Sequence, residues 1–300
     1  KVGTVSGTGA SAAITWGSQT EIRNGGSSDP TYYNKLVWNE DTQNFGYFCF
    51  TRGSDDKLYG RVVTINSSGA IEVGTIIQLL PFSNEDQPIQ DFYSMDACYD
   101  TTNDRYAVFV TGKYTSSNRY RSSGVCCSTS GSGTSATLTR LSTYQGDMNL
   151  WQHNDTSANG AHHYVHCCYD PSKDLVVVSY KDLDTTGNGY GHQYIKLFKC
   201  NGGKTEYSFG SSTTLVQSVA TCWSIVYSPG IDKPVHVRVS TSNQIRAKII
   251  TISGTSQSSS ISYSTDTIVE SNQPWNTGAN QGSYQRDPWN KAVASASLGR

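Results

Sequence analysis

The sequence contains few charged residues and no long apolar run. Only 16% of its 300 residues are charged, the formal net charge is −1, and the lysines and arginines are scattered. Without a basic stripe to track phosphates, we expect no nucleic-acid partner. No apolar run approaches the roughly 20 residues that a membrane-spanning helix needs, so we expect no membrane insertion.

Sequence motifs that mark common enzymes and metal sites are also absent. There is no GxSxG, HExxH, P-loop or strand–helix GxGxxG motif, no CxxC pair and no calcium loop of the DxDxDG type. Histidines cluster only at His153, His162, His163 and His166, and the adjacent pair diverges if that segment is extended. We therefore predict no catalytic residue, no metal site and no cofactor.

The chain has eight cysteines, and two pairs of them are adjacent. They are Cys49, Cys98, Cys126, Cys127, Cys167, Cys168, Cys200 and Cys222. Most lie in predicted strands, where neighbouring residues point to opposite faces, so only one member of an adjacent pair can face a given neighbour. We expect them mainly as small buried side chains. Disulfides between strands are the alternative.

A strand–turn–strand unit recurs along the chain. Ser94–Asp100 is followed by Arg105–Thr111, and His163–Asp170 by Leu175–Tyr180. We align the units on the aromatic residue that ends the first strand and call these the landmark positions. They are Trp38-Asn39, Tyr99-Asp100, Tyr169-Asp170, Tyr227-Ser228 and Trp289-Asn290. We expect the aromatic ring to pack between units and the Asp or Asn to cap the turn.

Each complete unit has four predicted strands, and the two ends of the chain carry complementary halves of one unit. Residues 1–22 have the pattern of a third and a fourth strand, and residues 285–300 that of a first and a second. The sequence therefore predicts an all-β fold: one five-bladed β-propeller of four-stranded antiparallel blades, closed by N- and C-terminal strands that share a blade. An open array of sheets is the alternative. The single domain 1–300 would contain blades at about 28–85, 86–150, 155–217 and 218–272, and a split blade of 280–300 plus 1–24.

A row of polar residues lies three positions before the landmark aromatics. Its members are Lys35, Asp96, His166, Ser224 and Arg286. On innermost strands this row would face a central channel. Lys35, Asp96, His166 and Arg286 are therefore candidate ligand-binding residues at the channel mouth. The alternative is a water-filled channel lined by paired charges, with Asp96 pairing with Lys35.

Nineteen tyrosines and six tryptophans exceed what an aliphatic core needs. Tyr and Trp stack on sugars and anchor interfaces. The candidates in predicted loops are Tyr32, Tyr33, Trp151, Tyr190 and Trp275, for which packing between blades is the alternative. Asn66 and Asn154 fit the N-glycosylation pattern and are candidate glycosylation sites.

Glycoside hydrolysis is the enzymatic alternative that we carry, because several glycosidase families use a five-bladed propeller. That chemistry needs two converging carboxylates. The polar row supplies only Asp96, while Asp287 has the opposite strand phase and Glu85, Asp86 and Asp91 precede the strand that contains Asp96. We therefore expect a protein that is not an enzyme.

The repeated Tyr-Asp unit, with Val-Ser-Gly-Thr and Ile-Thr-Trp-Gly-Ser motifs, resembles β-propeller repeats of tail-fibre and extracellular appendage proteins of marine phages. The match is clearest at 2–18, 169–182 and 249–265. The resemblance implies an extracellular or virion-surface location and a structural or adhesive role, and it transfers no catalytic residue. We expect a non-enzymatic module that recognises surface glycans or neighbouring copies of itself. A subunit of a homopolymeric extracellular filament is the alternative.

Overall fold

The computed structural model describes residues 1–7, 11–23, 31–51, 57–80, 89–114, 120–141, 151–153, 165–182, 192–200, 211, 213–216, 223–240 and 244–271. Within these residues the chain is all-β, with a short 3-10 turn at Gly133–Ser135 and no α-helix. In the same part of the chain, no helix has the length and apolar character to cross a membrane.

The strands form one hairpin and four antiparallel sheets, each of which follows the chain as a meander. The hairpin consists of β1 (Gly3–Ser6) and β2 (Ala13–Trp16). Sheet I consists of β3 (Thr31–Asn39), β4 (Asn44–Thr51), β5 (Leu58–Ile65), β6 (Ile71–Val73) and β7 (Ile77–Leu80). Sheet II consists of β8 (Ile89–Asp100), β9 (Arg105–Tyr114), β10 (Tyr120–Ser130), β11 (Thr137–Arg140) and β12 (Trp151–His153). Sheet III consists of β13 (Val165–Asp170), β14 (Leu175–Asp182), β15 (His192–Phe198) and β16 (Thr213–Val216). Sheet IV consists of β17 (Trp223–Ser228), β18 (Lys233–Val239), β19 (Ile245–Ser253), β20 (Ser260–Tyr263) and β21 (Thr267–Glu270).

The predicted all-β class and the repeated antiparallel sheet are confirmed. Sheet II has a fifth strand, β12, that the prediction lacks and that pairs with β10. The fourth strand differs from the prediction in sheets I and IV. The expected single strands are each divided in two, and both parts pair with the third strand. In sheet I the break lies at Gly74 and Thr75. The Gly74 N–H bonds to Val62 O at 2.9 Å, and the next N–H bonds to Ala136 O of sheet II at 3.2 Å. The backbone therefore leaves its own ladder to contact the neighbouring sheet.

The turn after the first strand has the same conformation in all four sheets. The residue five positions after the landmark aromatic has φ of 52–53°, and these residues are Gln43, Asp104, Asp174 and Asp232. Asp tolerates this left-handed region better than most residues. The side chains of Asn39, Asp100 and Asp170, which directly follow the landmark aromatics, cap their turns as expected. Asp100 Oδ1, for example, accepts the N–H groups of Thr102 and Asn103 at 3.1 and 3.0 Å.

Three apolar layers of the core lie between successive sheets, and a fourth cluster of Tyr47, Cys49 and Val63 packs on sheet I with Ile22. Layer I–II includes Phe48, Leu58, Tyr106 and Val108. Layer II–III includes Phe109, Val165, Val178 and Phe198. Layer III–IV includes Val177, Leu197, Ile225 and Ile250. Sheets I to IV therefore pack face to face in chain order, and burying each of these large side chains stabilises the fold by about 1.5–3 kcal/mol.

The adjacent cysteines divide between neighbouring layers, as strand geometry requires. Cys127 lies in layer I–II and Cys126 in layer II–III, while Cys167 lies in layer II–III and Cys168 in layer III–IV. The free cysteines among the described residues are buried, as expected. Disulfide formation, the alternative that the sequence left open, also occurs in the described residues: a disulfide joins Cys126 of sheet II to Cys200 after β15. Cys222 lies outside the described residues.

Candidate functional site

The first strands of the four sheets lie side by side and line a cavity of about 450 Å³. β3 contacts β8, β8 contacts β13, and β13 contacts β17. The cavity runs along these strands from the polar row to the turns. Its lining includes Lys35, Trp38, Asp96, Tyr99, Tyr169 and Ser224.

The structure brings together the described members of the polar row. Lys35, Asp96 and Ser224 line the cavity. The His166 ring is buried beside them, with Nδ1 at 3.7 Å from Asp96 Oδ2. Arg286, the fifth candidate, lies outside the described residues. The spacing of three residues from the landmark aromatic therefore identifies side chains that meet in space.

The Asp96 carboxylate connects three sheets. Lys35 Nζ of sheet I lies 2.7 Å from Oδ1. The backbone N–H of Ala97 donates to Oδ1 at 2.9 Å, and that of Cys167 in sheet III donates to Oδ2 at 3.1 Å. Asp96 is buried, and a buried carboxylate is stable only when it is paired and hydrogen-bonded in this way. The pairing with Lys35 that the sequence indicated is confirmed.

The contacts of Asp96 also argue against the glycosidase alternative. Asp96 is held by a lysine and two backbone amides, which suits a structural ion pair better than a general acid or nucleophile. The other carboxylate of the described cavity lining is Glu40. It lies five residues along the chain from Lys35, roughly 15 Å away by strand geometry. A glycosidase pair needs a separation of about 5–10 Å. Asp287, Glu85 and Asp86, and the side chain of Asp91, lie outside the described part.

A polar region adjoins the cavity between sheets III and IV. It consists of His166, Gln193, His236 and Arg238, and we call it the polar half of the III–IV interface. These side chains are buried, and both ring nitrogens of each histidine lack a hydrogen-bond partner, as do both amide atoms of Gln193. The His166 ring packs edge-on against Trp223 at 5.5 Å. Arg238 pairs with Asp266 at 2.6 Å.

His236 is held neutral in this region. Burial, together with the charges of Arg238, His166 and Lys248, lowers the pKa of His236 from 6.5 to about 3. No motif in the sequence singled out this residue. The available signal was the alternation in β18, where Pro234, His236 and Arg238 share the buried face of the strand.

Landmark tyrosines tie neighbouring turns together at the other end of the first strands. The Tyr99 hydroxyl of sheet II contacts Asp104 Oδ1 of its own turn at 2.5 Å and Asp41 Oδ2 of the sheet I turn at 2.7 Å. The Tyr169 hydroxyl repeats the pattern with Asp174 at 3.0 Å and Thr102 at 2.6 Å. Burial and the bonds to both aspartates raise the pKa of Tyr99. Tyr99 and Tyr169 therefore have a structural role, as expected of the landmark aromatics.

The loop aromatics are placed differently from the prediction. Tyr32 and Tyr33 belong to β3, and Trp151 to β12. The Tyr33 ring stacks on Phe50 at 5.1 Å, which is packing within a sheet rather than display on a loop. Tyr190 and Trp275 lie outside the described residues. A different aromatic residue, the landmark Trp38, lines the cavity, and its side chain is 43% exposed.

The candidate glycosylation site at Asn66 is tied into a turn. Its Nδ2 donates to Glu72 Oε1 at 2.8 Å, and its Oδ1 accepts the N–H groups of Ser68 and Ala70 at 3.1 and 3.0 Å. Attachment of a sugar at Nδ2 would compete with the bond to Glu72. Asn154 lies outside the described residues.

The described residues contain no metal-binding cluster, and no similar protein indicates a function. Among the residues that the structure describes, no three His, Cys, Asp or Glu side chains converge in a way that could hold a metal ion. The chain matches no protein-family model, and a comparison with curated proteins finds no significant match.

Proposed function

We propose that the protein is a non-enzymatic, extracellular five-bladed β-propeller module that recognises glycans at its axial cavity. Four sheets that follow one another in chain order support the ring. The β1–β2 hairpin supplies the outer two strands of a fifth blade, which residues 280–300 complete. Closure of this kind removes the open sheet edges that an array would leave.

The observation that carries the proposal is the combination of an exposed indole with fixed polar groups in one cavity. Trp38 offers an apolar face, and Lys35, Asp96 and Ser224 line the same space. Sugars present an apolar ring face and a rim of hydroxyls, so an aromatic plate beside charged and hydroxyl groups matches both. The ordered Lys35–Asp96 pair makes this a preorganised surface.

The Cys126–Cys200 disulfide supports the extracellular assignment. Disulfides persist in oxidising compartments and are rare in the cytosol of most cells. The resemblance to appendage and tail-fibre repeats points to the same location, including the surface of a virion.

A glycan array followed by calorimetry with the best-bound sugar tests this function. We expect Trp38→Ala to weaken binding about tenfold or more, because loss of one stacking anchor costs at least 1–2 kcal/mol. Trp16→Ala is the matched control, since Trp16 is 61% exposed but does not line the cavity. The bound sugar should be recovered unhydrolysed. Equal loss in both variants, absence of any bound glycan, or turnover would contradict the proposal.

A filament subunit is the second candidate, and the β1–β2 hairpin favours it. In the described residues this hairpin is a sheet of only two strands, and Ile14 and Trp16 on one of its faces are 54% and 61% exposed. Two-stranded sheets are marginally stable alone. Strands from a neighbouring copy could complete the hairpin by strand addition. Electron microscopy of native material without ligand tests this candidate. Filaments with one ring per repeat would support a filament subunit, and isolated discs would contradict it.

A further inference from the structure

Four cysteines meet in layer II–III, and only two of them are bonded. Cys98, Cys126, Cys167 and Cys200 all belong to this layer. The disulfide between Cys126 and Cys200 joins the sheets away from the first strands. Cys98 and Cys167 lie on the first strands themselves, on β8 and β13, and remain as thiols.

The Cys98 and Cys167 thiols lie close together at the boundary between sheets II and III. They belong to the same buried cluster, and each shifts the pKa of the other. Their strands are held side by side at this point, because the Cys167 N–H donates to Asp96 Oδ2 at 3.1 Å and the Val165 N–H donates to Ser94 Oγ at 3.2 Å. Both cysteines line the axial cavity, so a small reagent has a route to them.

We propose that Cys98 and Cys167 form a redox modification site, at which a low-molecular-weight disulfide that enters the cavity oxidises them to a second cross-link between sheets II and III. The site goes beyond glycan recognition and does not depend on it. Cys168 cannot replace Cys167, because it faces layer III–IV on the opposite side of β13.

The reaction is a pair of thiol–disulfide exchanges. One cysteine loses its proton, and its thiolate attacks a sulfur of RSSR, which forms a mixed disulfide and releases RS⁻. The second cysteine then loses its proton, attacks the protein sulfur of the mixed disulfide and releases the second RS⁻. Two electrons pass to the reagent, and the two protons convert the leaving groups to 2 RSH. The net change is two thiols and one RSSR to one protein disulfide and two RSH.

Burial controls the rate of this reaction. It raises the pKa of Cys167 well above the ordinary value. The Cys167 thiol is the largest single influence on the pKa of Cys98 and lowers it, but burial together with the charges of Cys168 and Asp96 outweighs this influence, so the net shift is upward. The thiolate is therefore scarce at neutral pH, and we expect oxidation to be slow there and faster as the pH rises toward 9.

Peptide mapping without reduction tests the site. The folded protein is incubated with 2-hydroxyethyl disulfide at pH 8.5, alkylated under denaturing conditions and digested with trypsin. We expect a linked species of peptides 62–105 and 141–173, two hydrogens lighter than their sum, that is absent before treatment. Peptides 122–140 and 200–204 should be linked in both samples by the existing disulfide.

Three variants separate this site from chance oxidation. Cys98→Ser and Cys167→Ser should each abolish the new link, while Cys168→Ser, the adjacent control, should keep it. If a variant fails to fold, fragmentation of the wild-type species between Cys167 and Cys168 still identifies the linked residue. A link through Cys168, or alkylation of both Cys98 and Cys167 after treatment, would overturn the proposal.

Discussion

The II–III and III–IV interfaces arise from the same strand repeat but are stabilised by different chemistry. Layer II–III is lined by apolar side chains and four cysteines, and a disulfide crosses it. The III–IV interface is apolar near the turns, where Val177 packs with Ile225 and Ile250. Toward the other end it contains the polar half, where His166, Gln193 and His236 are buried and their side-chain nitrogen and oxygen atoms have no hydrogen-bond partner.

This difference indicates that the repeat specifies strand order and turn geometry but not the chemistry between sheets. A disulfide stabilises an interface by about 2–4 kcal/mol. Each buried polar group without a partner costs about 1–3 kcal/mol. The two interfaces should therefore respond to different conditions, the first to reduction and the second to acid.

The largest effect that we expect is acid destabilisation through His236. The folded state holds this ring neutral with a pKa of about 3, whereas the unfolded chain binds a proton below about pH 6.5. The stability that the neutral ring confers is therefore complete above pH 6.5 and is lost as the pH falls toward 3. The loss is on the order of 4–5 kcal/mol. Urea unfolding of wild type and His236→Leu at several pH values measures it.

The comparison of variants isolates the histidine from other titrating groups. Burial raises the pKa of Asp100 and Asp170, so these carboxyls favour the folded state as the pH falls, which is the opposite sign. His236→Leu should flatten the acid limb of the stability curve. Gln193→Leu, in the same polar half, should shift stability equally at every pH because glutamine does not titrate. A pH-independent difference between wild type and His236→Leu would contradict the assignment.

The all-β class and the repeated antiparallel sheets were predictable because each of their signals is local. Alternating strands, the turn chemistry of Asp100 and Asp170, and the aromatic at the end of the first strand recur within short windows of sequence. The polar row was predictable for the same reason, because Lys35 and Asp96 occupy equivalent positions in two copies of one unit. Because the first strands of neighbouring sheets lie side by side, equivalent positions on them come close together.

The chemistry between sheets was not predictable because it depends on pairs distant in the chain. That Cys126 and Cys127 face different layers followed from strand geometry, but the choice of Cys200 as the partner needs the distance between two sheets. The burial of His236 likewise depends on which face of β18 meets sheet III. Trp151 was misplaced because β12 follows a segment that carries no strand pattern.

Loss of the Cys126–Cys200 disulfide should have the next largest effect. The bond closes a loop with a sequence separation of 74 residues, so its removal should lower the free energy of unfolding by about 2–4 kcal/mol. Urea unfolding of wild type and of the double variant Cys126→Ala with Cys200→Ala, each with and without dithiothreitol, measures this. Reductant should destabilise the wild type by more than it destabilises the double variant.

Cys127→Ala provides the control for that experiment. Cys127 is on the same strand but faces layer I–II, so its removal should cost only a small packing defect and leave the sensitivity to reductant intact. Equal stability of the wild type with and without reductant, with reduction verified by thiol counting, would show that the cross-link does not stabilise the interface.

The smallest predicted effect on stability concerns the landmark tyrosines Tyr169 and Tyr227, one from each interface. Tyr169 connects sheet III to Thr102 in the turn of sheet II, whereas the hydroxyl bond of Tyr227 in the described residues stays within its own turn, at Asp232. Ser172 occupies the position equivalent to Thr102 but donates to Asp170 instead. Tyr169→Phe should therefore cost about 1–2 kcal/mol, and Tyr227→Phe less than about 0.5 kcal/mol, since its bond is exposed. Urea midpoints compare the two, and equal losses would mean that the contact between turns adds nothing to the II–III interface.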